Sequence, residues 1–294
     1  GLYTLTGGTN ADTITIDPMS ADAFTIDGGA GDDILTSGFG NDTLIGGDGS
    51  DIFEGNAGDD TIFGGAGDDV AVYEGIQSDY QFGVVQGQLT VTNIASGAVD
   101  TLVGVETLEF ADGPIGVSID GNGGYALSGT SLSDTITVTS DAGFTLEGGD
   151  GSDVLEGGAG SDVLIGGAGD DVLVGGAGDD VAIYEGPQSD YRFGVDQGQL
   201  TVTHIVSGAV DTLDGVETLE FADGPIGVSV DDQGRYALSG TSAADTIRVS
   251  SGGVADPQFV NDIEPNSDFA SAQIVSRSAF QLGPNPDVGD SSLP

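Results

Sequence analysis

Aspartate recurs at every ninth residue in two stretches of the chain, and this spacing is the clearest chemical signal in the sequence. Five nine-residue units run from Gly28 to Val72 and four from Gly148 to Ile183, without insertions. Carboxylates that only keep an acidic surface solvated scatter along a chain, whereas ligand carboxylates repeat in register. The sixth-position aspartates are Asp33, Asp42, Asp51, Asp60, Asp69, Asp153, Asp162, Asp171 and Asp180.

Glycines precede each of these aspartates and complete the pattern of a cation site. A glycine-rich turn adopts backbone angles closed to other residues and leaves its carbonyl oxygens free to converge. Ca²⁺ takes about six to eight oxygen ligands, carboxylates and backbone carbonyls among them. We therefore predict Ca²⁺ as the cofactor, with several ions in each block. The glycines predicted to shape the sites are Gly29, Gly31, Gly38, Gly40, Gly47, Gly49, Gly58, Gly65, Gly67, Gly149, Gly151, Gly158, Gly160, Gly167, Gly169, Gly176 and Gly178.

The nine-residue spacing also predicts how the units stack. Each unit has six turn residues and a short strand whose apolar eighth residue points inward. Because every turn reverses the chain, units two apart lie on the same face at about the ordinary strand spacing of 4.8 Å. A cation between stacked turns is then shared by two aspartates. The predicted pairs are Asp33 with Asp51, Asp42 with Asp60, Asp51 with Asp69, Asp153 with Asp171, and Asp162 with Asp180.

Two further aspartates lie in segments that open a longer repeat. Similar openers begin at Tyr3, Tyr125 and Tyr236, and the first two contain Asp12 and Asp134 at the sixth position of a degenerate unit. Asp12 stands two units before Asp33, and Asp134 two units before Asp153. Both are predicted to form additional, weaker calcium sites.

The longer repeat predicts the domain organisation. The segment 73–130 recurs with few changes as 184–241. Both copies alternate apolar and polar residues as half-buried strands do. The predicted fold is all-β, with two calcium-binding parallel β-rolls in tandem, each followed by a β-rich capping segment. The predicted boundaries are module 1 at 1–122 (roll 7–72, cap 73–122), module 2 at 123–234 (roll 129–183, cap 184–234), a truncated third module at 235–255, and a linker with a further domain start at 256–294.

The unit GGxGxDxUx, with U a large apolar residue, resembles the RTX nonapeptide family. The resemblance implies calcium between stacked turns and bacterial type I export, with folding in external calcium. The caps resemble the β-rich region after RTX blocks in secreted proteases and lipases, toxins, adhesins and surface-layer proteins. The tail from Asp262 to Gln273 resembles the start of a bacterial pre-peptidase C-terminal domain, which accompanies secreted peptidases. Together these place the protein outside the cell or on the bacterial cell surface.

The charge balance excludes two classes of partner. The chain has 49 acidic residues against four basic ones, a formal net charge of −45. Nucleic acid and anionic membranes are both repelled. No stretch approaches 18 consecutive apolar residues, so no membrane insertion is expected.

The residue inventory argues against catalysis. His204 is the only histidine, and the chain has neither lysine nor cysteine. A two-histidine zinc site, a phosphate-binding lysine loop and a cysteine nucleophile are therefore all ruled out. The predicted function is an extracellular structural repeat, such as an adhesin stalk, surface layer or filament, and not an enzyme. The alternative is the non-catalytic calcium-folding region of a secreted hydrolase such as a protease.

One row of apolar side chains is predicted to point outward from the second roll. It consists of Val163, Ile165, Val181 and Ile183. Either the capping segment folds over this face, which is the favoured interpretation, or the face contacts a neighbouring module or another chain. The second interpretation predicts that copies of the protein associate in a filament or lattice.

Overall fold

A computed structural model describes residues 3–241 and 247–249 and the backbone of 259–260. These residues form a parallel β-solenoid without α-helices, interrupted by two 3₁₀ turns at Gln77–Asp79 and Gln188–Asp190. The predicted all-β, parallel β-roll class is confirmed. Most of the predicted third module and the whole segment resembling a pre-peptidase domain lie outside the described residues. No helix within the described part of the chain is long and apolar enough to cross a membrane.

The first half builds one roll and its cap. Its strands are β1 (Tyr3–Gly8), β2 (Thr13–Thr15), β3 (Phe24–Ala30), β4 (Ile34–Thr36), β5 (Thr43–Asp48), β6 (Ile52–Glu54), β7 (Thr61–Ala66), β8 (Val70–Val72), β9 (Tyr80–Val85), β10 (Gln88–Asn93), β11 (Val99–Val103), β12 (Thr107–Phe110) and β13 (Gly113–Ile119).

The second half repeats this order and begins another opener. Its strands are β14 (Tyr125–Ser128), β15 (Thr135–Thr137), β16 (Phe144–Asp150), β17 (Val154–Gly158), β18 (Val163–Ala168), β19 (Val172–Gly176), β20 (Val181–Ile183), β21 (Tyr191–Asp196), β22 (Gln199–His204), β23 (Val210–Asp214), β24 (Thr218–Phe221), β25 (Gly224–Val230), β26 (Tyr236–Ser239) and β27 (Phe259–Val260).

Successive roll strands alternate between two sheets because each glycine turn reverses the chain. In one sheet β3, β5 and β7 are parallel neighbours, and Leu44 stands beside both Ile26 and Ile62. In the facing sheet β4, β6 and β8 follow the same rule. The predicted stacking of units two apart is therefore confirmed.

The eighth residue of each unit fills the space between the two sheets. Leu35, Leu44, Phe53 and Ile62 are all at most 1% exposed. In the second roll Leu155, Leu164, Leu173 and Ala182 are fully buried in the same way. Burying one large apolar side chain stabilises the fold by about 1.5–3 kcal/mol. Two facing rows of core residues, one from each sheet, therefore hold each roll together.

The caps extend the sheets at their edges. Strand β11 pairs in parallel with β7, and β12 pairs in parallel with β8, so the first cap continues both faces of its roll. In the second cap β23 and β24 join β19 and β20 in the same way.

This edge-to-edge arrangement contradicts the favoured prediction for the outward apolar row, which was that the capping segment covers it. The second cap continues the sheet beyond β20 and does not fold over the face that carries the row. Val163, Ile165 and Val181 are half-buried, and Ile183 is 36% exposed. The expected cover by the capping segment is therefore not what the structure shows.

One sheet runs through both halves of the chain. Strand β13 pairs antiparallel with β14, and β14 pairs in parallel with β16. A fourteen-stranded sheet results, flanked by a seven-stranded sheet in the first half and a six-stranded sheet in the second. The proposed boundary near 122 therefore lies inside a continuous sheet, and the division into separate modules remains a prediction.

Candidate calcium sites

The repeat aspartates form ladders of stacked, buried carboxylates. The backbone N–H of Asp33 donates to Oδ1 of Asp51 at 2.8 Å, and that of Asp51 to Oδ1 of Asp69 at 2.9 Å. Asp42 and Asp60 are joined in the same way at 2.8 Å. In the second roll the Asp153–Asp171 and Asp162–Asp180 distances are 3.0 and 2.8 Å. The structure thus brings together all five predicted pairs.

Each ladder leaves one oxygen of nearly every carboxylate without a hydrogen-bond partner. The orphaned atoms are the Oδ2 oxygens of Asp33, Asp51, Asp60, Asp69, Asp153, Asp162, Asp171 and Asp180, all buried. Leaving a buried polar group unsatisfied costs about 1–3 kcal/mol, and more for a charged one. Folded proteins rarely tolerate a row of such groups. A bound cation would coordinate the unpaired oxygens and neutralise the carboxylate charge, so the residues fit calcium.

The glycine turns stack so closely that carbonyl oxygens line the ladder. Gly47 has a φ of +112°, and a Cβ on it would clash with the carbonyl oxygen of Gly29. Gly49 stands in the same relation to the Gly31 carbonyl. Most of the predicted site glycines share this positive φ, and the exceptions are Gly38, Gly40 and Gly160. At those three a Cβ would still crowd a backbone carbonyl of the preceding coil.

The ligand set is mixed. Within the residues the structure describes, no cluster of three or more His, Cys, Asp or Glu side chains is arranged to hold a metal. A cation between stacked turns therefore has two carboxylates at hand and must take its other protein ligands from backbone carbonyls. Calcium accepts that combination, whereas softer metals favour imidazole and thiolate ligands.

Burial disfavours the charged form of these carboxyls. Desolvation raises the pKa of Asp60 to about 8, with the neighbouring carboxylates of Asp100 and Asp42 adding to the effect. Desolvation likewise raises the pKa of Asp153 and of Asp162 to about 6. The pKa values of Asp51 and Asp69 are raised for the same reason. The ladder therefore favours either bound protons or a bound cation over bare negative charge.

The opener aspartates have a different environment. Oδ2 of Asp134 accepts hydrogen bonds from Thr130, and its Oδ1 accepts one from the Gln77 side chain at 2.7 Å. Oδ2 of Asp12 accepts a hydrogen bond from the Gly8 backbone at 2.6 Å. Both occupy the predicted ladder positions, because Asp12 is joined to Asp33 and Asp134 to Asp153. Neither has the orphaned oxygen of a regular site, so their assignment to calcium remains a prediction with less support.

Sequence reasoning missed four acidic residues that continue the ladders into the caps. Oxygens of Asp100 and Glu106 accept hydrogen bonds from Asp60 and Asp69 at 3.0 Å each. Asp211 and Glu217 do the same for the second roll. Their signal was an acidic residue followed by Thr-Leu, which matches positions six to eight of a nonapeptide that lacks the preceding glycine motif.

Comparison with known proteins agrees with the repeat pattern. The family model described as the RTX calcium-binding nonapeptide repeat matches residues 25–44, 45–72 and 147–182. Proteins with these repeats are typically secreted. No curated protein matches the chain.

Among solved structures, the extracellular lipase LipA from Serratia marcescens aligns with a TM-score of 0.32 and 22% identity. The alignment covers 67% of this chain and 38% of the lipase. A likeness of this size does not define a shared overall fold. The family match and the stacked-turn geometry agree independently: residues 25–44, 45–72 and 147–182 match the RTX calcium-binding nonapeptide repeat and lie within a parallel β-solenoid.

Proposed function

We propose that the protein is an extracellular structural repeat protein, of a stalk, surface layer or filament at the bacterial surface, whose folding is driven by calcium. The observation that carries this proposal is the fourteen-stranded sheet that passes from the first half into the second. A chain built this way gains length by adding repeats without a break in hydrogen bonding. Solenoids behave as one-dimensional stacks in which each repeat supports its neighbours.

The junction between the halves supports the same function. The first cap receives the second opener: Phe82 bridges Val138, and the Thr139 N–H donates to the Phe82 carbonyl at 2.9 Å. The second cap receives the third opener in the same way, through Phe193 and Val249. Each cap thus pairs directly with the next opener, an arrangement that suits a tandem array of repeats.

Calcium dependence follows from the charge and the burial. Ca²⁺ supplies positive charge and coordination to the orphaned Oδ2 atoms of the ladders. The unfolded chain has no preformed site, so the free energy of binding becomes free energy of folding. The medium outside a bacterial cell supplies calcium, which agrees with export in an unfolded state and folding after arrival.

A non-catalytic role is part of the proposal. The single histidine, His204, ends β22 with its ring tilted against Tyr191 and its Nδ1 2.8 Å from the Ser207 hydroxyl. Both contacts lie within the cap: Tyr191 is the cross-strand neighbour of His204 in the β21–β22 hairpin, and Ser207 is in the turn that follows β22, so the imidazole has a structural role.

Small-angle X-ray scattering of the full chain in millimolar calcium tests the structural proposal. One extended, rigid particle is expected, because the shared sheet fixes the two halves. A profile of two compact bodies joined by a flexible linker would contradict the structural proposal.

The alternative, a calcium-folding region of a secreted hydrolase, is supported by the tail resembling a pre-peptidase domain. Two independently moving halves would favour that alternative.

Self-association is a second part of the proposal. The half-exposed row Val163, Ile165, Val181 and Ile183 offers an apolar surface, and bound calcium reduces the repulsion between acidic copies. Light scattering in millimolar calcium is expected to show that the average particle mass increases with protein concentration. The variant Ile183→Ser, at the most exposed of the four positions, should reduce that increase. A monomer at all concentrations would remove self-association from the proposal.

A further inference from the structure

The acid ladder of each roll continues past the last nonapeptide into the cap. The Asp60 N–H donates to Oδ1 of Asp100, and the Asp69 N–H to Oε2 of Glu106, both at 3.0 Å. The distances inside the repeats are 2.8–2.9 Å in the same roll. The cap carboxylates therefore occupy the position that a further nonapeptide aspartate would have.

The backbone keeps the same register at this step. The Thr101 N–H donates to the Asp60 carbonyl at 2.8 Å and the Thr107 N–H to the Asp69 carbonyl at 3.0 Å. Between ordinary units the Val70 N–H donates to the Asp51 carbonyl at 2.9 Å. The cap strands thus add another coil to the roll, although their sequence lacks the glycine motif.

The second half repeats the arrangement with a separate stretch of sequence. The Asp171 N–H donates to Oδ1 of Asp211 at 3.1 Å, and the Asp180 N–H to Oε2 of Glu217 at 2.9 Å. Asp100 and Asp211 are both 8% exposed. Two independent occurrences argue that the acidic residues have a common purpose.

Orphaned oxygens point to a ligand at these steps. Asp60 and Asp69 are at most 1% exposed, and the Oδ2 atom of each has no hydrogen-bond partner. Oδ2 of Asp171 and of Asp180 are orphaned in the same way in the second roll. Each of these oxygens lies on the last turn of its own stack, next to the cap.

A cap carbonyl completes the cradle at the Asp69 step. A Cβ built on Gly64 would clash with both the Gly104 carbonyl oxygen and Oδ2 of Asp69, so the two oxygens converge there. Within the roll, the Gly46 position is crowded in the same way by Oδ2 of Asp51 and the Gly64 carbonyl. Gly104 of the cap therefore replaces the first glycine of a nonapeptide. Gly215 has this role beside Gly175 and Asp180 in the second half.

We infer that each cap supplies the closing ligands of two further calcium sites that no nonapeptide predicts. Asp100 pairs with Asp60, and Glu106 with Asp69 and the Gly104 carbonyl. Asp211 and Glu217 close the second roll in the same way. The inference rests on the proposed calcium function of the repeats and extends it, because calcium here fastens the cap to the roll.

Calcium stoichiometry of the full chain tests the inference, measured by equilibrium dialysis with radioactive Ca²⁺. Asp100→Asn and Glu106→Gln are each expected to lose one calcium per chain. Glu109→Gln is the matched control, because Glu109 is exposed on β12, the strand that begins directly after Glu106. It removes the same charge and should lose none. Asp51→Asn, inside the repeats, reports whether the regular sites bind at all.

The outcomes separate the cap sites from the proposed function. If Asp51→Asn loses calcium while both cap variants retain the wild-type stoichiometry, the cap-site inference is overturned and the repeat function stands. If the wild-type chain binds no calcium, the proposed function itself fails.

Wild-type crystals loaded with Tb³⁺ give a readout that does not depend on the folding of variants. Anomalous density between Asp69 and Glu106, and between Asp180 and Glu217, supports the inference. Density confined to the nonapeptide turns refutes it.

Discussion

At the scale of single residues, each interior aspartate of a ladder serves two steps. Oδ1 of Asp51 accepts the Asp33 N–H, while the Asp51 N–H donates to Asp69. On the sequence alone Asp69 ends its block and belongs to one site, so its loss should matter less than that of Asp51. Glu106 now places Asp69 in the ladder interior as well. The two positions should therefore behave alike.

Asp51→Asn should cost up to two calcium ions per chain and lower the melting temperature in calcium, and Asp69→Asn should do the same. The amide keeps the shape of the side chain but removes the charge that two neighbouring sites share. Isothermal titration calorimetry and thermal unfolding measure both effects. Asp48→Asn, an exposed acid in the same unit as Asp51, is the control. A clearly smaller loss at Asp69 would mean that the ladder ends before the cap.

Gly47→Ala should destabilise the calcium-bound protein by about 1–3 kcal/mol or more, because the new methyl group meets both an unfavourable φ and the Gly29 carbonyl. Gly87→Ala separates the effect of the backbone angle from that of the steric clash. Gly87 has a φ of +83° with open space around it, so its variant suffers only from the backbone angle. Urea unfolding in calcium measures the difference. Equal effects at the two glycines would argue against close stacking of the turns.

At the scale of elements, the roll strands were predictable because the residues that form each strand and its turn lie within a single nine-residue unit. A nine-residue unit contains its own turn, its own strand and its own core residue, so Leu44 or Phe53 can be assigned without knowing the rest of the fold. The strand of Thr107–Phe110 was also predictable from its alternation. The path of the sheet from β13 into β14 was not, because the predicted boundary near 122 divides the sequence inside the short turn that joins these two strands, and neither repeat by itself shows a pairing across that boundary. The cap ligands were missed because Glu106 belongs to no glycine motif.

The buried glutamine of the first 3₁₀ turn joins the two halves. Gln77 is 1% exposed, its amide donates to Asp134 at 2.7 Å, and its carbonyl accepts the Thr135 N–H at 2.7 Å. Gln77→Leu should leave the buried Asp134 carboxylate and the half-buried Thr135 N–H without these partners, at about 1–3 kcal/mol for a fully buried group.

Urea unfolding should then change from one cooperative transition to two in the Gln77→Leu variant. Ser78→Ala, at an exposed neighbour in the same turn, should leave the single transition intact. Two transitions in the wild-type protein would show that the halves are not coupled through this contact.

At the scale of the whole molecule, acidic charge is the dominant opposing force. A net charge of −45 resists compaction, and desolvation raises the affinity of several ladder carboxyls for protons. Burial raises the pKa of Asp60 to about 8, of Asp211 to about 7 and of Asp100 to about 6. An aspartate in the unfolded chain has a pKa of about 3.9. The metal-free folded state therefore binds more protons than the unfolded state between about pH 4 and 8.

Stability of the metal-free chain should consequently fall as the pH rises through that window. At pH 5 these carboxyls stay protonated in the fold, whereas by pH 8 the folded state must hold them charged or unfold. Circular dichroism of chelator-treated, desalted protein should show more β-structure at pH 5 than at pH 8. In calcium the protein should instead show more β-structure at pH 8 than at pH 5, because carboxylates must be ionised to bind the ion. An unchanged metal-free spectrum across this range would mean that the ladder carboxyls do not control folding.

Calcium-driven folding is tested most directly by the circular dichroism spectrum of the full chain at pH 7.5 as calcium is added. We expect a disordered spectrum in chelator and a cooperative gain of β signal in millimolar Ca²⁺. Equal Mg²⁺ should have little effect, since it favours a tight octahedral shell that retains several waters. A chelated chain that keeps its full β spectrum would contradict the claim that calcium on the aspartate ladders drives folding.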